Sequence, residues 1–437
     1  MVMRMKKSKF IKSTVILLIG GFFTKLLGMV IRIILTRCLG SEGMGIYMMI
    51  MPTFNLLIAL AQFGFPVAIS KLVAEDKSNN KNLVFSVIPI VFLMNVVLFF
   101  FLFFGSDFLA NHLLQEERTY YGLIAIGFVL PFISLSSILR GYFFGKEKMF
   151  PHIFSNIIED ITRLFLLGIG IPYFLKVGIS QAICFVILTN IVSEVTSILV
   201  LFFFLPKNFK ISKKDFLPTF ENMKKVLKIS LPTTASRIIG SIGYFFEPVI
   251  LTYVLLKVGY SNHFIVNEYG ILNGYVMPLL LLPSFFTNAI SQALIPTISY
   301  AYSHGYGKYA KKKIIQAIGF SLMIGIPVTI VFMFIPEVFL KLIYNTNQGI
   351  PYIRFLAPIC LFHYIQSPIA SSLQAMGYAK SAMTGTFFST IIRLGGIYIF
   401  SSLQIGIWGL ILATSINILF VTFYDLYYVK KALKNKE

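Results

Sequence analysis

Lys25 and Arg32 stand two helical turns apart inside "GGFFTKLLGMVIRIILTR" (Gly20–Arg37), a run otherwise apolar enough to enter a bilayer. A cation in hydrocarbon is costly unless something answers it. At ~100° per residue, Gly21, Lys25, Gly28 and Arg32 fall within a sector of roughly 60°, so the cations share one stripe with the smallest residues. Such a stripe faces protein or water. In one reading the glycines allow close helix packing while the cations pair with Glu194 or Glu247 on neighbouring helices. In the other the stripe walls an aqueous cavity that binds an anion. The next apolar run adds an uncharged polar stripe, with Pro52, Asn55, Ala59, Gln62 and Pro66 projecting to one side within about 80°.

Further charges lie inside apolar runs: the cations Arg140, Arg163, Arg237, Arg354 and Arg393, against Glu159, Asp160, Glu194 and Glu247, with Asp425 near a run's end. The interior is biased toward positive charge. Arg140 and Arg354 sit close enough to run ends to snorkel, whereas Lys25, Arg163, Arg237 and Arg393 lie deeper. In "NIIEDITRLF" the acid Glu159 precedes Arg163 by four residues, the favourable order for an intrahelical ion pair. Asp160 is expected to be rotated away from that pair. Together with Glu159, Glu194 and Glu247 it is a candidate for coupling to H+ or Na+.

These residues need a scaffold, and composition names its solvent. Of 437 residues 57% are hydrophobic and 13% charged, with a mean hydropathy of +0.81. The expectation is an all-α polytopic membrane protein, with twelve spans near 13–36, 46–70, 83–105, 121–144, 152–175, 180–205, 226–255, 269–298, 314–340, 352–376, 383–403 and 406–428. The basic start "MVMRMKKSKF" has the look of a signal peptide, but the apolar run behind it is long and lacks a small-residue cleavage site, so it is expected to remain as the first helix. Of the 38 Lys and Arg, 26 fall in segments on one side of these spans and five on the other, which predicts cytoplasmic N and C termini. The net charge of +21 is then a topology signal and an attraction for anionic membrane lipid, not a nucleic-acid footprint.

Two internal matches divide the chain. "GIYMMIMPTFNLLIALAQFGFPVAIS" (Gly45–Ser70) resembles "GILNGYVMPLLLLPSFFTNAISQALIPTIS" (Gly270–Ser299), whose counterpart amides are Asn288 and Gln292. "LRGYFFGKEKM" (Leu139–Met149) aligns without gaps on "LQAMGYAKSAM" (Leu373–Met383), and the same offset sets Glu159 opposite Arg393. The expected organisation is a six-helix bundle at 1–205, a basic cytoplasmic linker at 206–228 and a second six-helix bundle at 229–437. Six spans being even, the two are parallel repeats, an arrangement suited to alternating access.

Cys38, Cys184 and Cys360 are odd in number and scattered, and the five histidines show no ligand spacing; Walker, zinc and nucleophile-elbow motifs are absent from the sequence. No metal, cofactor or catalytic residue is expected, and no enzyme.

The stretch "FFTKLLGMVIRIILTRCLGSEGMGIYMMI", followed by Met-Pro in the second span, resembles the stage V sporulation protein B group of polysaccharide-biosynthesis membrane proteins. That group belongs to the multidrug/oligosaccharidyl-lipid/polysaccharide (MOP) exporter superfamily, which includes MurJ-type lipid II flippases. The resemblance implies that Lys25 matches a cavity arginine of those flippases and that Arg32 sits one place beyond another. Where they carry a cation in the eighth helix, this chain has Tyr275 and Met277 nearby, and fewer spans are expected.

The expected function is that of a flippase or exporter in the bacterial cytoplasmic membrane, moving an undecaprenyl-pyrophosphate-linked saccharide for cell-wall or spore-cortex synthesis. Buried cations suit pyrophosphate because charge-assisted bonds strengthen in a low-dielectric cavity. Substrate binding is expected at Lys25, Arg32, Asn55, Gln62, Arg163, Arg237, Asn288, Gln292 and Arg393, with H+, Na+ or the membrane potential as drive and cell-wall synthesis proteins as partners. The alternative is a cation-coupled multidrug antiporter of the same superfamily, which would prefer an acidic cavity. A membrane glycosyltransferase, which usually needs a sizeable external loop with catalytic carboxylates, and a scaffold rank below both.

Overall fold

The computed structural model describes residues 2–75, 80–206 and 220–434, without the side chains of 2–18, 80, 81, 220, 236, 292 and 293. Most of the basic linker and the side chain of Gln292 therefore lie outside the described residues. Helices account for nearly everything described. They fall into two compact units, Met1–Phe245 and Phe246–Glu437, the division lying inside one long helix.

The first unit contains α1 (Val2–Gln62), α2 (Phe65–Glu75), α3 (Asn80–Phe85), α4 (Ile88–Phe108), α5 (Tyr120–Gly145), α6 (Met149–Val177), α7 (Ile179–Phe203) and the first part of α8 (Phe220–Lys257). α7 packs on α5 and α6, α1 packs on α6, and α2 and α4 pack on α5. The remainder of α8 opens the second unit. There follow α9 (Asn262–Gly270), a π-helical turn (Ile271–Val276), α10 (Met277–Leu280), α11 (Ser284–Ser303), α12 (Gly307–Phe334), α13 (Pro336–Tyr344), α14 (Ile350–Ala375), α15 (Ala379–Ser401) and α16 (Trp408–Lys434). α14 packs on α11, α12 and α16, and α15 lies along α16.

Each of the twelve expected spans coincides with helix, although the helices are cut differently. α1 runs through two of them, kinked at Gly40, whose φ of 67° and ψ of −173° suit glycine almost alone. Eight described helices are long and apolar enough to cross a membrane, or nine if the pair Asn262–Leu280 and Ser284–Ser303, bent by 52°, is one span. Two expected spans fall short for chemical reasons. Glu159, Asp160 and Arg163 crowd the middle of α6, and α14 is diluted by Arg354, His363, Gln366 and prolines. Phenylalanines 92, 100, 101, 103, 104 and 108 of α4 are exposed, an apolar surface that belongs in lipid. The protein is a multi-pass membrane protein.

Inside the first unit, α5 and α2 approach at backbone distance. Gly141 and Gly145, one turn apart on α5, lie over Pro66 and Ser70 of α2. A Cβ at Gly141 would sit 2.6 Å from the Pro66 carbonyl oxygen, and one at Gly145 would sit 2.5 Å from that of Ser70. Small residues at this spacing allow helices to meet closely where the hydrophobic effect offers no drive between them. Gly141→Ala should therefore destabilise the detergent-solubilised protein by about 1–3 kcal/mol, as overpacking does. Gly105→Ala, at a position with nothing within 4 Å, is the control. Equal melting temperatures for the two variants would show that α2 yields and that the contact is loose.

Candidate functional site

The buried charges of the first unit meet at the junction of α5, α6 and α7. The Arg140 guanidinium donates from Nη2 to Glu159 Oε2, to Glu194 Oε2 at 3.2 Å and to Ser197 Oγ at 2.8 Å. Arg163 donates to Glu159 Oε1 at 2.7 Å. The expected Glu159–Arg163 pair is thus present, but it is part of a larger cluster. Arg140 does not snorkel; it turns inward, because two carboxylates offer it more than a headgroup region does. Asp160 is not rotated away either: its Oδ1 is 4.0 Å from Arg163 Nη1, since residues three apart on a helix share a face. Arg354, by contrast, sits half-exposed against Glu337.

The stripe on α1 is built differently. Gly21 and Gly28 have nothing within 4 Å of a Cβ position, and Lys25 between them is exposed. Lys25 has no ion pair or hydrogen bond among the described residues. Arg32 is half-buried, with Nη2 at 3.7 Å from Met48 Sδ, and Tyr47 lies close enough to Arg32 and Arg163 to feel both charges. The pairing of Lys25 with Glu194 is absent among the described residues. Arg237 of α8 donates from Nη1 to Gln62 Oε1 at 2.8 Å, a neutral partner. Gln62 closes α1 just before Phe63 and Gly64, both at positive φ. Gly64 admits α8 there, since a Cβ would lie 2.6 Å from the Ser230 carbonyl oxygen. Asn55 is exposed on the same helix.

In the second unit, Arg393 of α15 meets Glu247 of α8 at 2.5 Å, and the Tyr269 hydroxyl donates to Glu247 at 3.3 Å. This pair borders a small cavity with Asn273, Met277 and Thr414, roomy enough for about one water. Tyr269, Asn273 and Thr414 were missed by sequence reasoning. Asn273 enters through the π-helical turn, which shifts its register, and no periodicity announces such a turn. Tyr275 is buried and stacks on Tyr344. Asn288 is exposed on α11.

The chain matches the family described as "Polysaccharide biosynthesis protein" over residues 10–302, about two thirds of its length. The chain belongs to the polysaccharide biosynthesis protein family. A second family description, MatE, matches residues 273–399. One relative is Stage V sporulation protein B of Bacillus subtilis (strain 168), 36% identical over 442 residues, covering 98% of this chain and 85% of that protein. The Lipid II flippase MurJ of the same organism is 21% identical over 463 residues, covering 97% and 83%. The fold is that of a multidrug resistance MATE family transporter of the MOP superfamily solved in an inward-facing conformation. The TM-score is 0.79, with 18% identity over 94% of this chain and 95% of that one.

Within this member of the family, the paired and unpaired cations should respond differently to substitution. Glu159 alone among the described carboxylates touches both Arg140 and Arg163, so Glu159→Gln leaves Arg140 to Glu194 and Arg163 to the more distant Asp160. The expected loss is about 1–3 kcal/mol of stability, seen as a lower melting temperature and reduced membrane abundance. Lys25→Gln should stay within about 0.5 kcal/mol of wild type. Equal abundance of the two variants in membranes would count against a structural role for the cluster.

Proposed function

We propose that this protein is a flippase for an undecaprenyl-pyrophosphate-linked saccharide, a peptidoglycan precursor or polysaccharide unit, crossing the cytoplasmic membrane by alternating access. The observation that carries the reading is the contrast between two sets of cations. Arg140, Arg163 and Arg393 are neutralised by carboxylates of their own unit. Lys25 has no acidic partner among the described residues and Arg237 rests on an amide. An anionic substrate would be drawn to Lys25, Arg32 and Arg237, and the amides Asn55 and Gln62 of α1 would meet sugar hydroxyls. Arg163 and Arg393 then act on the fold and not on the substrate. Membership in a polysaccharide biosynthesis family and likeness to a lipid II flippase support the same substrate class.

A cation-coupled drug antiporter is the second reading, favoured by the MATE fold. A cationic drug would need free carboxylates, and Glu159, Glu194 and Glu247 are each bonded to arginine.

Flipping of a fluorescent undecaprenyl-pyrophosphate-linked saccharide by purified protein in proteoliposomes tests the proposal. Arg237→Glu and Lys25→Glu should each lose at least about tenfold in rate, because reversal adds repulsion to lost attraction. Lys25→Arg should be tolerated. Were Glu194→Gln and Glu247→Gln inactive while Lys25→Gln and Arg237→Gln worked at wild-type rate, the antiporter would replace the flippase.

A further inference from the structure

Five carboxylic side chains are buried among the described residues: Glu116, Glu159, Glu194, Glu247 and Asp425. Four are answered by arginine. Glu116 holds Arg118 at 2.7 Å, Glu159 and Glu194 share Arg140, and Glu247 holds Arg393. Asp425, on α16 of the second unit, is 3% exposed and makes no ion pair or hydrogen bond among the described residues. Its Oδ1 is fully enclosed.

The elements packed around Asp425 offer it no charge. On α15, Gly385 stands where a Cβ would lie 3.4 Å from Oδ1, so the oxygen faces bare backbone. The Tyr424 hydroxyl beside it is engaged with Thr384 at 2.9 Å. From α14, His363 is bonded to Gln366, and Gln366 to Thr422 and to the Ile418 carbonyl. From α11, the Tyr302 hydroxyl reaches the Ala432 carbonyl and Tyr378. Lys380 on α15, Lys311 and Lys312 on α12, and Lys430 and Lys431 on α16 itself are exposed, and Lys431 lies over the Tyr428 ring. None of these groups makes a hydrogen bond or ion pair with the carboxyl.

An ionised carboxylate cannot be kept in such surroundings without a counter-charge or donors, so the group takes its neutral form. We propose that Asp425 is a proton-binding site: it holds a proton in this conformation and releases it when the contact between α15 and α16 loosens enough to admit water. The step is self-contained. The carboxyl O–H bond breaks, the proton passes to water and the carboxylate remains, hydrated. A transport cycle built on this device takes up and releases a proton at the second unit, a consequence that rests on the transport reading; the protonation itself does not.

Dicyclohexylcarbodiimide, which is membrane-soluble and attacks protonated carboxyls in apolar surroundings, tests the site on the full-length protein in membranes. Peptide mass spectrometry should find the adduct at Asp425 at neutral pH, decreasing as pH rises, with Glu159, Glu194 and Glu247 unmodified. Absence of the adduct in folded protein, with modification of the same residue after unfolding in acid, overturns the proposal. In a second measurement, melting temperature is followed against pH in detergent. Wild type should lose stability as pH rises above the ordinary carboxylate range, where ionisation is forced on a buried group, and Asp425→Asn should lose less over the same range. Parallel profiles would also overturn the proposal, whatever the fate of the flippase reading.

Discussion

An unpaired charge is intolerable in a medium that neither solvates nor screens it, and the interior of this protein is arranged around that cost. Arginine is the usual answer because its fork can serve several acceptors at once. Arg140 reaches Glu159, Glu194 and Ser197 from a single nitrogen, tying three helices together at one point. The cluster makes α6 too polar to pass as a span by composition, yet it bonds α6 to both α5 and α7. Charges in this unit thus serve as cross-links where water and the hydrophobic effect are unavailable between helices.

The internal repeat shows how flexible the solution is. The alignment that pairs Leu139 with Leu373 sets Glu159 opposite Arg393. Each position buries a charge of the opposite sign, and each is answered inside its own unit, Glu159 by arginines of α5 and α6, Arg393 by Glu247 of α8. The requirement that survives between the repeats is neutrality of the pair, while the identity of the acid-bearing helix is free to change.

Departures from regular helix place the remaining polar groups. Gly40 kinks α1, Phe63 and Gly64 end it beside Gln62, and the π-helical turn at Ile271–Val276 carries Asn273 into the cavity next to Glu247 and Arg393. Irregular backbone is affordable within a membrane where protein covers it. At Gly64 the cover is α8 itself, whose Ser230 carbonyl approaches too closely for any side chain. The same approach brings Arg237 to Gln62.

The membrane class, the positions of the twelve helical segments and the Glu159–Arg163 pair were legible in the sequence, since each depends on hydropathy or on spacing along one chain segment. So was the stripe of Lys25 and Arg32, because helical periodicity alone puts them on one face. Which cations are consumed and which remain available was not legible. Arg140 with Glu194, Arg393 with Glu247 and Arg237 with Gln62 join residues far apart in the chain, and helix packing alone decides such distances. The isolation of Asp425 is of the same kind, for whether a carboxylate has a partner is a property of the helices around it and leaves no trace in its own neighbours along the chain.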